Sequence, residues 1–314
     1  MGCEMIKISE LPGSLEVESP AEFARFRDFL ATHAEKTRSQ DGLSIPYCIC
    51  GQGARTILTF AGGWGGIEMA YETILGFEER NRMVIVDISA FDDPDEMSRG
   101  INLVLDEEEV DRVVLMGQSL SGILAQLYFR RHANRVEALV LTNTPAPKRE
   151  RCRKWPQLLF ACLPFSLLRV LLRRKMRRLG RFDQEIPPLV EERRRFAHAI
   201  MALMMDRFLT RKRIGRILKL CWRFNKEGEY SADELRAWNG RALLITSQDD
   251  PYHSDAETLE SAVPAAEQYL LPIGFGHMAP QICLEQFQSA IQEFLDDLGP
   301  QVDGSFRRPS ANPG

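Results

Sequence analysis

Val113-Val114-Leu115-Met116-Gly117-Gln118-Ser119-Leu120-Ser121-Gly122 is an apolar stretch of strand length that runs into a small-x-Ser-x-small turn. It leads out into an apolar helix expected over Leu120 to His132. A serine on so tight a strand-to-helix turn needs small residues two before and two after it, because those positions face neighbouring backbone. Gly117 meets this requirement; Ser121 meets it less fully and is followed by Gly122. The turn sets Ser119 at a helix N-terminus, where backbone N–H groups and the helix dipole favour developing negative charge. A lone G-x-S-x-S string also serves as an ordinary helix cap, so its flanks have to decide between the two.

Other short apolar runs lie on either side: Ile45 to Cys50, Thr56 to Phe60, Met83 to Ile88, Ala138 to Thr142, Ala242 to Thr246 and Gln268 to Ile273. Between them, Ile67 to Phe77 and Glu96 to Leu105 are long enough for crossover helices, and Leu284 to Leu298 reads as a closing helix. That alternation predicts an α/β fold, a mostly parallel sheet covered by helices. Residues 45–147 and 237–299 form its core. Residues 1–44 read as a helical extension, with Phe23, Phe26, Phe29 and Leu30 at helical spacing in Ala21 to Ala34. Residues 148–236 show no strand-like run, only apolar positions at helical spacing such as Phe196, Ile200, Leu203 and Met204, and are expected to be an inserted helical lid. The Pro, Gly and Ser-rich residues 300–314 are expected to be a disordered tail.

The 314 residues, 44% hydrophobic and 27% charged, exclude a disordered or collagen-like chain. No apolar run is long enough to span a bilayer, and Met1 to Ile6 lacks the marks of a secretory leader. Seven cysteines without a CxxC pair suit reduced thiols better than a disulfide framework or a zinc site, so a cytoplasmic protein without metal is expected. The net charge of −4 is unevenly spread. Lys148 to Arg223 holds 22 basic and 6 acidic residues, which leaves the rest of the chain at −20.

Three further segments bear on chemistry. The strand Ile57 to Phe60 opens into Ala61-Gly62-Gly63-Trp64-Gly65-Gly66, which lacks the Lys-Ser/Thr of a phosphate loop and the spacing of a dinucleotide fingerprint. In acyl transfer such a loop supplies one of two N–H donors to an oxyanion, an arrangement worth several kcal/mol; Leu120 and Gly63 are the candidate donors. The strand Ala242 to Thr246 ends at Asp249-Asp250-Pro251. A base histidine needs a carboxylate on its far nitrogen, and Asp250 is the first candidate, with Asp249 behind it. Of five histidines only His277 follows a late strand through a loop loosened by Gly274 and Gly276; His33, His132 and His198 fall in helical stretches, and His253 follows the acid strand too closely.

The order Ser119, Asp250, His277, with a glycine-rich loop upstream and a helical insertion after the strand that follows the serine, resembles the α/β-hydrolase superfamily over roughly residues 45–298. The resemblance implies an eight-stranded, mostly parallel sheet, a helical cap and serine-dependent acyl chemistry without metal or organic cofactor. Two positions depart from the pattern. Ala61 stands where many members have His, and Val86-Asp87-Ile88-Ser89 leads to Ala90-Phe91-Asp92 instead of an Arg-Gly-x-Gly loop. The second departure, with Leu139 to Thr144, resembles the maspardin branch, which is associated with protein binding more than with a reaction.

The expected activity is therefore hydrolysis of a small or medium acyl ester, thioester or lactone. The rival is a binding scaffold that kept the fold and lost turnover. Leu158 to Leu172 followed by Arg173-Arg174-Lys175-Met176-Arg177-Arg178 suits either contact with an anionic membrane or a lid whose cations face solvent and an acidic core. Nucleic acid is not an expected partner, since no recognition motif accompanies the charge and the pI is about 5.9.

Overall fold

The computed structural model describes residues 5–61, 66–88, 91–152, 162–179, 185–231, 238–263 and 266–299. Its centre is an eight-stranded sheet in the order β1-β2-β4-β3-β5-β6-β7-β8. The strands are β1 (Glu35–Gln40), β2 (Leu43–Cys50), β3 (Thr56–Phe60), β4 (Arg82–Val86), β5 (Val113–Gln118), β6 (Val136–Thr142), β7 (Arg241–Ser247) and β8 (Ala266–Leu271). The first two pairings, β1 with β2 and β2 with β4, are antiparallel; every pairing from β4 to β8 is parallel. Central parallel strands are covered on both faces and so are apolar throughout: all five residues of β3 are buried, and β5 is buried up to Gly117.

Helices cover the two faces. One carries α1 (Gly13–Glu18), α2 (Pro20–Thr32), α3 (Tyr71–Phe77) and α11 (Leu284–Asp297), reached through the short α10 (Ala279–Ile282). Phe26, Phe29, Tyr71, Ile74 and Ile291 pack there against Cys48, Ile57 and Val114. The other carries α4 (Pro94–Glu107), α5 (Leu120–His132) and α9 (His253–Ala262), with Ile101, Leu124, Tyr128 and Leu259 against Leu58, Leu115 and Leu244. Asp93 caps α4 by accepting from the N–H groups of Asp95 and Glu96, ahead of which Pro94 at the first helical position needs no donor.

The N-terminal reading needs a correction. Residues 1–44 are not wholly helical, because β1 lies within them and pairs with β2 from Glu35↔Cys48 to Gln40↔Leu43. Its sequence, Glu-Lys-Thr-Arg-Ser-Gln, has no apolar alternation because it is an exposed edge strand, where charge also discourages further pairing.

Between β6 and β7, neighbours in the sheet, the chain leaves for nearly a hundred residues and returns in parallel register, Ala138↔Arg241 to Thr142↔Ile245. The described secondary structure of this excursion is helical: α6 (Phe165–Leu179), α7 (Pro188–Phe208) and α8 (Arg211–Glu227), besides a single 3₁₀ turn. Met205, Leu209 and Ile214 gather Phe165, Leu168 and Leu172 of α6 into a small core of their own. Many of its cations meet acids elsewhere in the chain. Arg216 pairs with Asp92, Arg193 with Glu22 and Glu285, Arg207 with Glu10, and Lys148 and Arg151 both with the wholly buried Asp255. Arg213 and Asp87 form an ion pair at 3.1 Å with side-chain exposures of 5% and 0%. Among the described residues no helix is long and apolar enough to cross a membrane. Residues 300–314 lie outside those described.

Candidate active site

Ser119 stands between the end of β5 and the start of α5 with φ 54° and ψ −116°. A non-glycine residue in that region is strained and persists only where its surroundings hold it. The restraints are visible: Ser119 N–H donates to Thr142 O at 3.0 Å, and Thr144 Oγ1 donates to Ser119 O at 2.9 Å. A Cβ on Gly117 would lie 2.5 Å from Ser121 O and 2.6 Å from Gly122 Cα, and one on Gly122 would lie 2.4 Å from Thr144 Oγ1. The space restriction therefore falls on residues 117 and 122. Ser121 fits because its hydroxyl folds back on the turn, donating to Gln118 O at 2.7 Å and accepting from Gln118 N–H at 2.8 Å.

Asp250 follows β7 and His277 follows β8, so two neighbouring parallel strands deliver both at the C-terminal edge that carries Ser119. His277 Nε2 lies 2.8 Å from Ser119 Oγ, and His277 Nδ1 lies 2.7 Å from Asp250 Oδ2. Asp250 has no exposed side-chain surface, and its other oxygen accepts from Tyr252 N–H at 2.7 Å. The Tyr252 ring meets the imidazole edge-on at 5.7 Å. A carboxylate held in this way keeps a proton on Nδ1 and turns the Nε2 lone pair to the serine hydroxyl, an arrangement able to take up that proton during attack on a carbonyl.

Asp249, the second candidate, has a different position. Its Oδ2 accepts from the N–H groups of Gly274 and Gly276 at 2.8 and 2.9 Å, and Ser247 Oγ donates to its other oxygen. Against the upward push of burial, these hydrogen bonds hold its carboxyl below the ordinary range. It thus anchors the loop that carries His277. Leu120 opens α5 next to the serine, while Gly63 lies outside the described residues.

Ser119 and His277 open onto a cavity of about 260 Å³ whose described walls include Met69, Met116, Ile200, Met201 and Phe287. Ile200 and Met201 come from α7, so the inserted segment forms part of the wall. Two wall residues had no signal of site chemistry in the sequence. His198 shares α7 with them, Arg194 Nη1 lies 3.5 Å from its Nδ1, and burial followed by the Arg194 charge lowers its pKa. Glu72 on α3 is pushed up to about 7 by burial, with the charge of Glu22 adding to the rise and that of Arg193 opposing it. Both sit in runs whose helical periodicity reveals a packing face, and periodicity does not tell a cavity wall from a core.

No protein-family model matches the chain, and no curated protein matches it. Solved structures do. A thermophilic esterase from Thermogutta terrifontis aligns at 17% identity and TM-score 0.62 over 85% of this chain and 99% of its own. The enol-lactonase from Burkholderia xenovorans aligns at 17% and 0.62 over 83% and 100%. An N-acyl homoserine lactone degrading enzyme gives 17% and 0.62 over 82% and 100%. With the strand order, the helices on both faces and the strained serine between β5 and α5, these likenesses show that the chain has the α/β-hydrolase fold.

Proposed function

We propose that the protein is a serine hydrolase that cleaves a small or medium acyl ester, thioester or lactone through an acyl-enzyme. The observation that carries this is the continuous relay from Asp250 through His277 to Ser119, at 2.7 and 2.8 Å, opening onto a largely apolar cavity. Ser119 Oγ attacks the carbonyl carbon as its proton passes to His277 Nε2, and the Asp250 carboxylate stabilises the imidazolium that forms. The N–H groups of Leu120 and Gly63 take the oxyanion. Collapse of the tetrahedral intermediate expels the leaving group, which receives the proton from His277, and water then reverses the sequence on the acyl-enzyme. The esterase and lactonase descriptions of the structural neighbours agree with this chemistry. The non-catalytic scaffold that a maspardin resemblance allows has no comparable observation in its favour.

In this proposal residues 148–236 act as the lid, and the cavity wall contributed by α7 makes them a determinant of acyl preference. Contact with an anionic membrane rests on α6, where Leu167, Val170 and Leu171 are 44%, 60% and 46% exposed; the ion pairs of the other insertion cations with core acids favour the lid that faces an acidic core.

Labelling with a fluorophosphonate tests the assignment. A single adduct mapped to Ser119 by mass spectrometry, absent from Ser119→Ala, is the expected result. Well-folded protein that gives no adduct, or one elsewhere, would overturn it.

A further inference from the structure

His33, Cys50 and Glu78 converge from three elements at the end of the sheet away from Ser119. His33 caps the C-terminus of α2, Glu78 caps that of α3, and Cys50 is the last residue of β2. Cys50 pairs with Met83 at the start of β4, and the neighbouring Arg82 pairs with Thr56 at the start of β3. The cluster therefore lies at the N-terminal edge of the parallel strands, whereas Ser119 follows the C-terminal end of β5.

One nitrogen, one sulfur and one carboxylate oxygen of these residues all lie within 4.8 Å of one another. His33 Nε2 is 2.7 Å from Glu78 Oε2. The wholly buried Cys48, two residues before Cys50 and hence on the same face of β2, lies against the Cys50 thiol.

The hydrogen bonds of the imidazole determine which nitrogen faces the cluster. Thr32 Oγ1 is 2.7 Å from Asp28 O, to which it donates its single proton, so toward His33 Nδ1 at 2.9 Å it is an acceptor. Phe29 O, also an acceptor, is 3.0 Å from the same nitrogen. Nδ1 therefore carries the hydrogen, and a neutral His33 presents its Nε2 lone pair to the Glu78 carboxylate. Two acceptors at 2.7 Å need a cation between them. A proton serves these two groups while the Cys50 thiol hydrogen-bonds beside them to Cys48 and Glu78, whereas a divalent metal takes all three as ligands. The carbonyl on Nδ1 is also the outer partner that metal-bound imidazoles ordinarily have.

We propose that His33, Cys50 and Glu78 form a zinc site. The mixed imidazole, thiolate and carboxylate set suits zinc and does not suit calcium or magnesium, which take oxygen ligands. Zinc bonds of about 2.0–2.3 Å put tetrahedral ligand atoms roughly 3.3–3.8 Å apart, so on binding the His33–Glu78 pair, now at 2.7 Å, opens to admit the ion, and all three ligand atoms already lie within 4.8 Å of one another. The ion ties α2 to the sheet edge and to α3 far from the reacting serine, so its role is structural. The cysteines gave no such signal in the sequence, because the ligands come from separate segments and the Cys48-x-Cys50 spacing matches no zinc pattern.

The test uses the full chain, stripped of metal by chelation and then titrated with zinc or cobalt(II). One equivalent of zinc is expected to bind and to raise Tm by several degrees, since a ligand held only by the folded state stabilises it. Cobalt is expected to give the charge-transfer absorption of a thiolate ligand, lost in Cys50→Ser and kept in Cys162→Ser and Cys283→Ser. His33→Gln is expected to weaken zinc binding by at least tenfold. Folded wild-type protein that gives no thiolate absorption with cobalt, or absorption that survives in Cys50→Ser, would overturn the proposal. Neither readout depends on turnover at Ser119, so this site and the hydrolase assignment stand or fall separately.

Discussion

Asp249 and Asp250 are neighbours in the chain, yet their carboxylates hold the two ends of one loop. Asp250 Oδ2 meets His277 Nδ1 at 2.7 Å, while Asp249 Oδ2 accepts from the N–H groups of Gly274 and Gly276 at 2.8 and 2.9 Å. One side chain holds the imidazole, which in the proposed hydrolase is the base, and the other fixes the backbone that delivers it.

The division of labour predicts unequal losses. Asp250→Asn keeps the shape but offers an amide to Nδ1 and favours the wrong tautomer, so kcat on an activated ester should fall by about 10³–10⁴-fold. Asp249→Ala frees the loop without touching the imidazole, and kcat should fall by roughly 10–100-fold, the scale of a small misplacement of a catalytic group. Parallel kinetics on the two variants check this; equal losses would mean that the loop anchor and the base orienter are not separate.

The departure at the elbow leads to a second prediction. Ser121 satisfies both Gln118 N–H and Gln118 O, so Ser121→Ala should cost about 1–2 kcal/mol in denaturant unfolding. Gly117→Ala should cost more than Gly122→Ala. At residue 117 the added Cβ meets backbone of Ser121 and Gly122 inside the turn itself, whereas at residue 122 it meets Thr144 Oγ1 and Cβ at 2.4 and 2.6 Å, so relief there needs Thr144 to shift as a whole and to loosen its hydrogen bond to Ser119 O.

Much of this site was legible because buried parallel strands announce themselves. Ile57, Leu58, Val114 and Leu115 make apolar runs that end in turn residues, and the residues after β5, β7 and β8 are the ones the sheet brings to a single edge. What stayed hidden had no local signal. Strand β1 is polar because it is an edge, and Asp249 and Asp250 differ only in which loop each faces. His198 and Glu72 became cavity walls only once α7 and α3 were packed beside the serine.

Glu72 predicts a pH dependence. Its folded value of about 7 stands above the ordinary 4.5, with burial the largest cause. A raised carboxyl binds its proton more tightly in the folded state, so its contribution to stability is full below pH 4.5 and is lost as the pH rises through 7. Glu72 should therefore take stability away between pH 5 and 8, so that over this range Glu72→Gln, which cannot ionise, fares better than wild-type protein. Denaturant midpoints at the two pH values, with m held constant, measure the difference. Identical pH slopes in the two proteins would show that Glu72 ionises normally.

The attachment of the helical insertion supplies the last prediction. Arg213 reaches from α8 to Asp87 at the end of β4, and both side chains are nearly without solvent contact. Asp87 lies in the segment that departs from the Arg-Gly-x-Gly pattern of the sequence resemblance, and its charge has a use here that sequence alone could not reveal. A buried pair adds little net stability against an apolar replacement of both partners, but removing one leaves the other charge buried and short of a partner, typically at 3–5 kcal/mol. Arg213→Met should therefore destabilise the protein by roughly that amount, and Asp87→Asn by less, because an amide still offers an acceptor to the guanidinium. Asp87→Leu combined with Arg213→Met should recover much of the loss. If the double variant is instead as unstable as the sum of the single changes, the two residues are not energetically coupled and the insertion is held by its apolar contacts, such as those of Ile217, Leu220 and Phe224 with the core.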